Sequence, residues 1–425
     1  MLEKFKLDNG LQVILAPQKG SQSLTVLVAF KVGSRYETVN IHHGVSHFIE
    51  HLMFKGTKKR PSPQIISKEL DGIGAEFNAF TAKDHTGYYI KSSADQVELA
   101  LDILSDIISN STFPENEIKR EKGVIIEEIK MYEDMPLYYS EMLFENLIYQ
   151  GNALGEDIAG TEESIKKMSR KNILDFYKSH YEPTNGTIII AGKINKKIKS
   201  LLNKYFIQLQ KDKEKVFLQK FNPFINAQDQ PRVLLHYRDT KQVHLALGFP
   251  AYSYYDPEMY ALQILAIILG GNMSSRLFVN IREKKGLCYF IRSQADIYED
   301  TGNLMIRSGL DINKIEEAVS LIIKELVLVR EKGVTAKELY MAKKFIKGHT
   351  ILQFEDSSNL ANYYAKQYLL NPDILTPEQK LKKIEKVTRS QIQNVAQEII
   401  KKQKFNLAMI SPYKDQKQFL KLIKL

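Results

Sequence analysis

The sequence repeats itself. ESIKKMSRKNILDFYKSHY (163–181) aligns without gaps on KKIEKVTRSQIQNVAQEII (382–400), so that Ser169 falls on Thr388 and Arg170 on Arg389, a shift of 219 residues. A long internal period of this kind marks a duplicated structural unit. In each copy a Ser or Thr precedes a helical pattern and is placed to cap it. A short apolar strand follows at the same offset, GTIIIA (186–191) and FNLAMI (405–410). A basic amphipathic helix closes each half, KKIKSLLNKYF (196–206) and QKQFLKLIKL (416–425). The front ends agree more loosely. Alternating LQVILA and LTVLVAF open the first half, RVLLHY and VHLALGF the second, and each half continues with a helix, a strand pair and a further long helix. Between them QKDKEKVFLQKFNPFINAQDQ (210–230) is polar, lacks sustained periodicity and reads as a linker. The sequence therefore predicts an α+β chain of two homologous domains, 1–209 and 231–425, joined by 210–230. Each is a mostly antiparallel sheet with helices packed on one face.

A chain of 425 residues is too long for one ordinary core, which agrees with two domains. No run approaches the ~18 uninterrupted apolar residues of a membrane helix, and the N-terminus reads as a first strand rather than a targeting segment. Cys288 is the single cysteine, so no intrachain disulfide can form, which predicts a reducing, cytoplasmic setting. The net charge of +10 is spread over lysines interleaved with acids, as in KDKEK (211–215) and LKKIEK (381–386). That pattern describes solvated helix faces, and it predicts neither a nucleic-acid nor a membrane partner.

Two of the nine histidines lie within five residues, in HFIEH from His47 to His51. Val45, Phe48, Ile49, Leu52 and Met53 fit helical spacing around them. On a helix His47 and His51 stack one turn apart, the separation at which two nitrogens can share one Zn²⁺. Glu50 borders the same face and can reach a water there without being a ligand. This is the H-x-x-E-H order of the inverted zincins. His42 and His43, just upstream, are off that face. A site with an open position needs a third protein ligand. After Pro114 a helical stripe at 118, 121, 125, 128 and 132 reads Ile, Glu, Ile, Glu, Tyr. Carboxylates on an apolar stripe are costly unless paired with a cation or metal, so Glu121 and Glu128 are both candidates. Glu127, about 100° away around the helix, is the rival.

GVSHFIEHLMFKGT together with REKGVIIEEIKMYED resembles the pitrilysin family of zinc peptidases, which includes insulin-degrading enzyme and the mitochondrial processing peptidase. The likeness runs over essentially the whole chain, including the repeat, and its size matches the short, half-length members. In that family's pattern the third ligand lies about 77 residues beyond the second histidine and another glutamate precedes it by seven. The resemblance therefore implies Glu128 as the third ligand of one Zn²⁺ per chain, and Glu121 as the partner that orients a ligand. GAEFNAFTAKDHTGYYI (74–90) resembles the family's substrate-binding edge strand. By that likeness Asn78 and Ala79 offer backbone groups to an extended peptide, with the Asn78 side chain able to fix a substrate amide. His85 reads as part of an ordinary hairpin.

LGGNMSSRLFVNIREKKGLCYFI (269–291) resembles another signature of the family, an Arg followed seven residues later by a Tyr, here Arg282 and Tyr289. Both are donors that can hold a substrate carbonyl or a developing oxyanion. The matching stretch MYALQILAIILGG has no histidines, so only the first half is expected to bind zinc. The chain also lacks the long glycine-rich loop of the processing peptidase's recognition subunit. These readings imply a zinc metalloendopeptidase that cuts peptides or small unfolded proteins, with Glu50 as the base and Arg282 and Tyr289 as catalytic donors. Two clamshell halves around a chamber would select substrates by size. In long members the half with the Arg/Tyr pair is not the half with the metal, which implies a homodimer whose Arg282 and Tyr289 serve the partner chain's zinc. The competing expectation is a non-catalytic, zinc-containing scaffold subunit of a processing complex.

Overall fold

The alternating stretches become strands. β1 (Glu3–Lys6), β2 (Gln12–Pro17), β3 (Ser23–Phe30), β4 (Glu76–Thr81), β5 (Thr86–Ser93) and β6 (Gly186–Gly192) form a six-stranded sheet in the order β1-β2-β6-β3-β5-β4. β7 (Arg232–Tyr237), β8 (Gln242–Ala251), β9 (Cys288–Ile297), β10 (Gly302–Asp311) and β11 (Asn406–Ser411) form a five-stranded sheet in the order β7-β11-β8-β10-β9. With β1 set aside, the two orders correspond strand for strand. Each has one parallel pair, β2 with β6 and β7 with β11, and is otherwise antiparallel. The computed structural model describes residues 2–209, 220–371 and 373–425, with the backbone alone at 39 and 40.

The repeat seen in the sequence is the same local structure twice. Ser169 caps the helix Arg170–His180 by accepting from the Asn172 N–H, and Thr388 caps Arg389–Ile399 by accepting from the Gln391 N–H. In both, the residue at the third helical position reaches back to the cap, which satisfies two otherwise orphaned donors. The closing helices differ in length. Ile198–Phe206 has nine residues, whereas the last helix stops at Leu420 and leaves Ile423 buried beyond it.

Each half's own helices cover one face of its sheet, as expected. Val13, Val26, Val28 and Ile188 pack there with Phe48, Leu101, Leu104 and Ile173. The opposite face is also covered, by a helix drawn from the other half of the sequence. Ile14, Leu27, Ala29 and Ile189 meet Leu360, Ala361, Tyr364 and Ala365 of the helix Ser357–Leu370. Reciprocally, Ala246, Met305 and Ala408 of the second sheet meet Phe144 and Ile148 of the helix Pro136–Ile148. A strand buried on both sides explains why β3 runs apolar without a break from Val26 to Phe30. Polar contacts fix the first exchange. Thr25 Oγ1 and Ser357 Oγ lie 2.8 Å apart, and Lys91 Nζ reaches Asp356 at 2.8 Å.

The compact units consequently do not follow the chain contiguously. One comprises Met1–Ile129, Asp157–Asn222 and Thr350–Leu375, the other Lys130–Glu156, Pro223–His349 and Thr376–Leu425. Of the expected linker, 210–219 lies outside the described residues. Most of the remainder is exposed, but two of its residues are held. Phe221 stacks on the Arg35 guanidinium with 3.6 Å from its carbon to the ring centroid, and Gln228 is buried with its amide on the Phe405 carbonyl.

Candidate metal centre

The helix Val45–Met53 buries Val45, Phe48, Ile49, Leu52 and Met53 in the core of the first unit. That leaves His47, Glu50 and His51 on its partly exposed side. The helix starts at Gly44, whose φ of 88° is left-handed and whose Cα lies where a Cβ would meet the Ala159 carbonyl oxygen at 2.6 Å. Only glycine fits there. The first N–H groups of this helix have no cap at its own N-terminus. They are met instead by the buried Glu37, which accepts from Gly44 N at 2.7 Å and Ser46 N at 2.8 Å. Burial pushes the Glu37 carboxyl up to about 8, against the pull of those two donors.

The second helix of the site, Glu115–Glu133, lies after Pro114 as the stripe predicts, with Ile118, Glu121, Ile125 and Ile129 buried. It delivers Glu128 to the histidines. Glu128 Oε2 lies 3.3 Å from His51 Nε2 and 3.7 Å from His47 Nε2. Among the described residues, His47, His51 and Glu128 are the one group of three such side chains whose ligand atoms converge, all within 4.8 Å of one another. Glu127 is exposed on another side of the helix and does not join them.

Glu121 is 1% exposed and bridges two cations. Its Oε2 accepts from His51 Nδ1 at 3.1 Å and its Oε1 from Lys55 Nζ at 2.8 Å. With Nδ1–H so engaged, Nε2 is the nitrogen of His51 that faces His47 and Glu128 and that a bound metal would deprotonate. Electrostatics divides the two imidazoles. Burial, with the charge of His51, holds His47 down at about 4. Burial also opposes charge on His51, but the Glu121 and Glu128 carboxylates outweigh it and raise His51 to about 9. Glu50 is raised by burial and pulled back by a hydrogen bond from Thr81 Oγ1 at 2.6 Å. Two imidazole nitrogens, of which His51 Nε2 would give up its proton to the metal, and a carboxylate oxygen, with an oriented partner behind His51, fit a tetrahedral divalent cation that keeps one position open.

Asn78 and Ala79 lie on β4, the free edge of the six-stranded sheet, paired on their inner side with Tyr89 and Tyr88. β4 packs beside the helix that carries the histidines. The exposed Asn78 turns its Oδ1 onto the Ala79 N–H at 2.9 Å. His85 closes the hairpin, its carbonyl accepting from Ala82 N. Arg282 and Tyr289 belong to the other unit. Both are exposed, Tyr289 to 76%, and the Arg282 guanidinium sits 4.6 Å from the Phe278 ring centroid. Three contributors went unread in the sequence: Glu37, Lys55 and Thr81. Lys55 stands four residues after His51, a spacing that could have flagged it. Thr81 acts across 31 residues, and Glu37 stands in the loop before the helix, seven and nine residues from the N–H groups it meets.

A model of insulinase (peptidase family M16) matches residues 12–162, and one of the peptidase M16 inactive domain matches 167–346. The protein named uncharacterized zinc protease YmxG of Bacillus subtilis (strain 168) is 34% identical over 412 residues, 97% of this chain and 98% of its own. The chain belongs to the M16 peptidase family. A second M16 relative, from Streptomyces coelicolor and named uncharacterized zinc protease SCO5738, is 32% identical over 97% of this chain and 90% of its own. The crystal structure of a protease from Helicobacter pylori superposes with a TM-score of 0.91 at 26% identity, over 97% of this chain and all of that one. The M16 relatives' names give zinc as the metal and proteolysis as the activity. The inactive-domain match agrees with the helix Met259–Ala266 of the second half, which carries apolar side chains and no histidine.

Proposed function

We propose that the chain is a zinc-dependent endopeptidase acting on peptides or small unfolded proteins. The observation that carries this is the convergence of His47, His51 and Glu128 with the Glu50 carboxylate beside them on the same helix. A zinc ion held by those three residues, one per chain, would supply a polarised water of lowered pKa. Glu50 takes a proton from the attacking water and returns it to the leaving amine. β4 adds the substrate as a further strand, with the backbone of Asn78 and Ala79 holding it and the Asn78 side chain released from Ala79 to fix a substrate amide. Glu121 holds the His51 ring and its proton in place. Arg282 and Tyr289 donate to the oxyanion. We infer that they do so in the partner chain of a closed two-fold homodimer. The lone Cys288 supports a reducing, cytoplasmic setting.

The test is metal content together with cleavage of a quenched peptide of about 15 residues, with and without chelator. Glu50→Gln should keep zinc and abolish cleavage. Zinc without any chelator-sensitive cleavage would favour a scaffold role instead. The dimer is tested by mixing Glu50→Gln with Tyr289→Phe under verified subunit exchange. Half the dimers then carry one intact site, and activity should return to about a quarter of wild type. No recovery would place Tyr289 in its own chain's reaction.

A further inference from the structure

Thr81 is the last residue of β4 and pairs across the hairpin with Thr86. It sits 31 residues from Glu50 in sequence, yet its hydroxyl donates to Glu50 Oε2 at 2.6 Å. A glutamate has three rotatable bonds, and a half-buried carboxylate without a partner would sample several positions. A β-branched hydroxyl on a strand is stiff, so the bond fixes one oxygen and leaves Oε1 as the free acceptor.

The strand that presents Thr81 is itself tied to the same helix by a second route. The hairpin turn beyond Thr81 is held by Ser34 N on the Ala82 carbonyl and Arg35 N on the Lys83 carbonyl, each at 3.2 Å. Arg35 pairs with Asp84 at 2.9 Å, both side chains buried. Gly33 lets this approach happen, because a Cβ there would lie 2.1 Å from the Ala82 oxygen. Two residues past Arg35, Glu37 bonds the N-terminus of the histidine helix. Segment 33–37 thus ties the hairpin turn to the start of the helix. The Thr81–Glu50 bond ties the strand to its middle. Two ties between the same two elements close a polar ring.

We propose that Thr81 is a positioning residue that holds the Glu50 carboxylate in register with β4, and so with any peptide that β4 pairs. The inference rests on the reading of Glu50 as the proton acceptor and β4 as the peptide edge. A peptide added to β4 takes its register from the strand. Thr81 then converts that register into a fixed place for the accepting oxygen.

The experiment compares Thr81→Val, Thr81→Ser and Glu50→Gln on a quenched peptide. Thr81→Val keeps the shape and removes the donor. Its kcat should fall by at least about tenfold, since a misplaced base of this kind can cost up to ~100-fold, with KM little changed. Zinc per chain, melting temperature and the anisotropy-measured affinity for an uncleavable peptide should stay at wild-type values. Thr81→Ser restores the donor and should recover most of kcat. If Thr81→Val does not fold, Thr81→Ala, which only removes atoms, takes its place. Retention of more than half of wild-type kcat by the donor-free variant overturns the inference. So does a Thr81→Ser variant as slow as Thr81→Val, because packing of the methyl would then be the cause. An active Glu50→Gln would instead overturn the reading of Glu50, which separates the two failures.

Discussion

Replacing Glu121 by Gln should weaken zinc binding without removing a ligand. The carboxylate is buried and serves two donors, His51 Nδ1 at 3.1 Å and Lys55 Nζ at 2.8 Å. Glutamine offers one oxygen and one NH2. If the oxygen faces His51, the NH2 points at the Lys55 ammonium and two donors collide. If the oxygen faces Lys55, the NH2 points at Nδ1. That nitrogen must then accept, so the proton moves to Nε2, the atom that faces His47 and Glu128. In either orientation the site loses an oriented imidazole or sets a donor against the partly exposed Lys55 ammonium. Changes at such orienting partners lower metal affinity by about 10–100-fold, or about 1.4–2.7 kcal/mol. The assay is competition for zinc against a colorimetric chelator at neutral pH, with a thermal melt of the zinc-free protein alongside. An affinity within about twofold of wild type, in a protein that still folds, would refute the argument that Glu121 sets the His51 tautomer.

Other perturbations follow the same geometry. Glu128→Gln should lower zinc occupancy and Glu127→Gln should not; the reverse, read by metal analysis, would shift the ligand by one residue. Asp84→Asn removes the carboxylate that Arg35 Nη1 meets at 2.9 Å in a fully buried site and should destabilise the fold by up to about 3–5 kcal/mol in urea titration. A loss below about 1 kcal/mol would mean that the other contacts of Arg35 suffice. Burial raises the Glu338 carboxyl, but the Arg276 guanidinium and the Thr335 N–H and hydroxyl outweigh it and hold the group down at about 2. Because the folded value is depressed, this stabilisation is present above the ordinary glutamate value of 4.5 and is lost as pH falls toward 2. Wild type should therefore be more stable than Glu338→Gln at neutral pH, with the gap closing in acid; a pH-independent gap would exclude the linkage.

What the sequence could disclose is what short-range physics writes into it. The caps at Ser169 and Thr388 need only a helix start and a residue three positions on. The histidine pair and the Ile/Glu stripe of 118–132 need only helical period. Each is readable because the partners lie within one or two turns. The exchanged helices were not readable in this way. Ser357–Leu370 shows apolar residues that any core could bury, and nothing local says that Leu27 and Ile189 of the other half are their partners. Thr81 fails for the same reason: a threonine at a strand end is an ordinary surface residue until strand order brings it to the helix. Glu37 lies close in sequence to the helix start, but a loop glutamate carries no periodic pattern to mark it. Lys55 differs, since its i+4 relation to His51 was local.

The duplicated plan also explains why polar side chains of this kind appear once. His47, Glu50, His51, Thr81, Glu121 and Glu128 all belong to the first unit. Placing imidazoles and carboxylates on helix faces that pack against a core carries a desolvation cost unless every group finds a partner. In the first unit most have one: Glu121 has His51 and Lys55, Glu50 has Thr81, and Glu128 faces both histidines, while the buried His47 Nδ1 has no hydrogen-bond partner. In the second unit the helix Met259–Ala266 buries Ala261, Leu262, Ile264 and Leu265 instead. With no histidines there to partner, carboxylates on an apposed helix would be unpaired. The buried position of the later helix Ala336–Gln353 is accordingly Ala342. Each sheet retains the same strand order, and the central strands of both copies are buried along most of their length. The chemistry diverges because it depends on polar residues that largely partner one another, so that losing one leaves others without a partner.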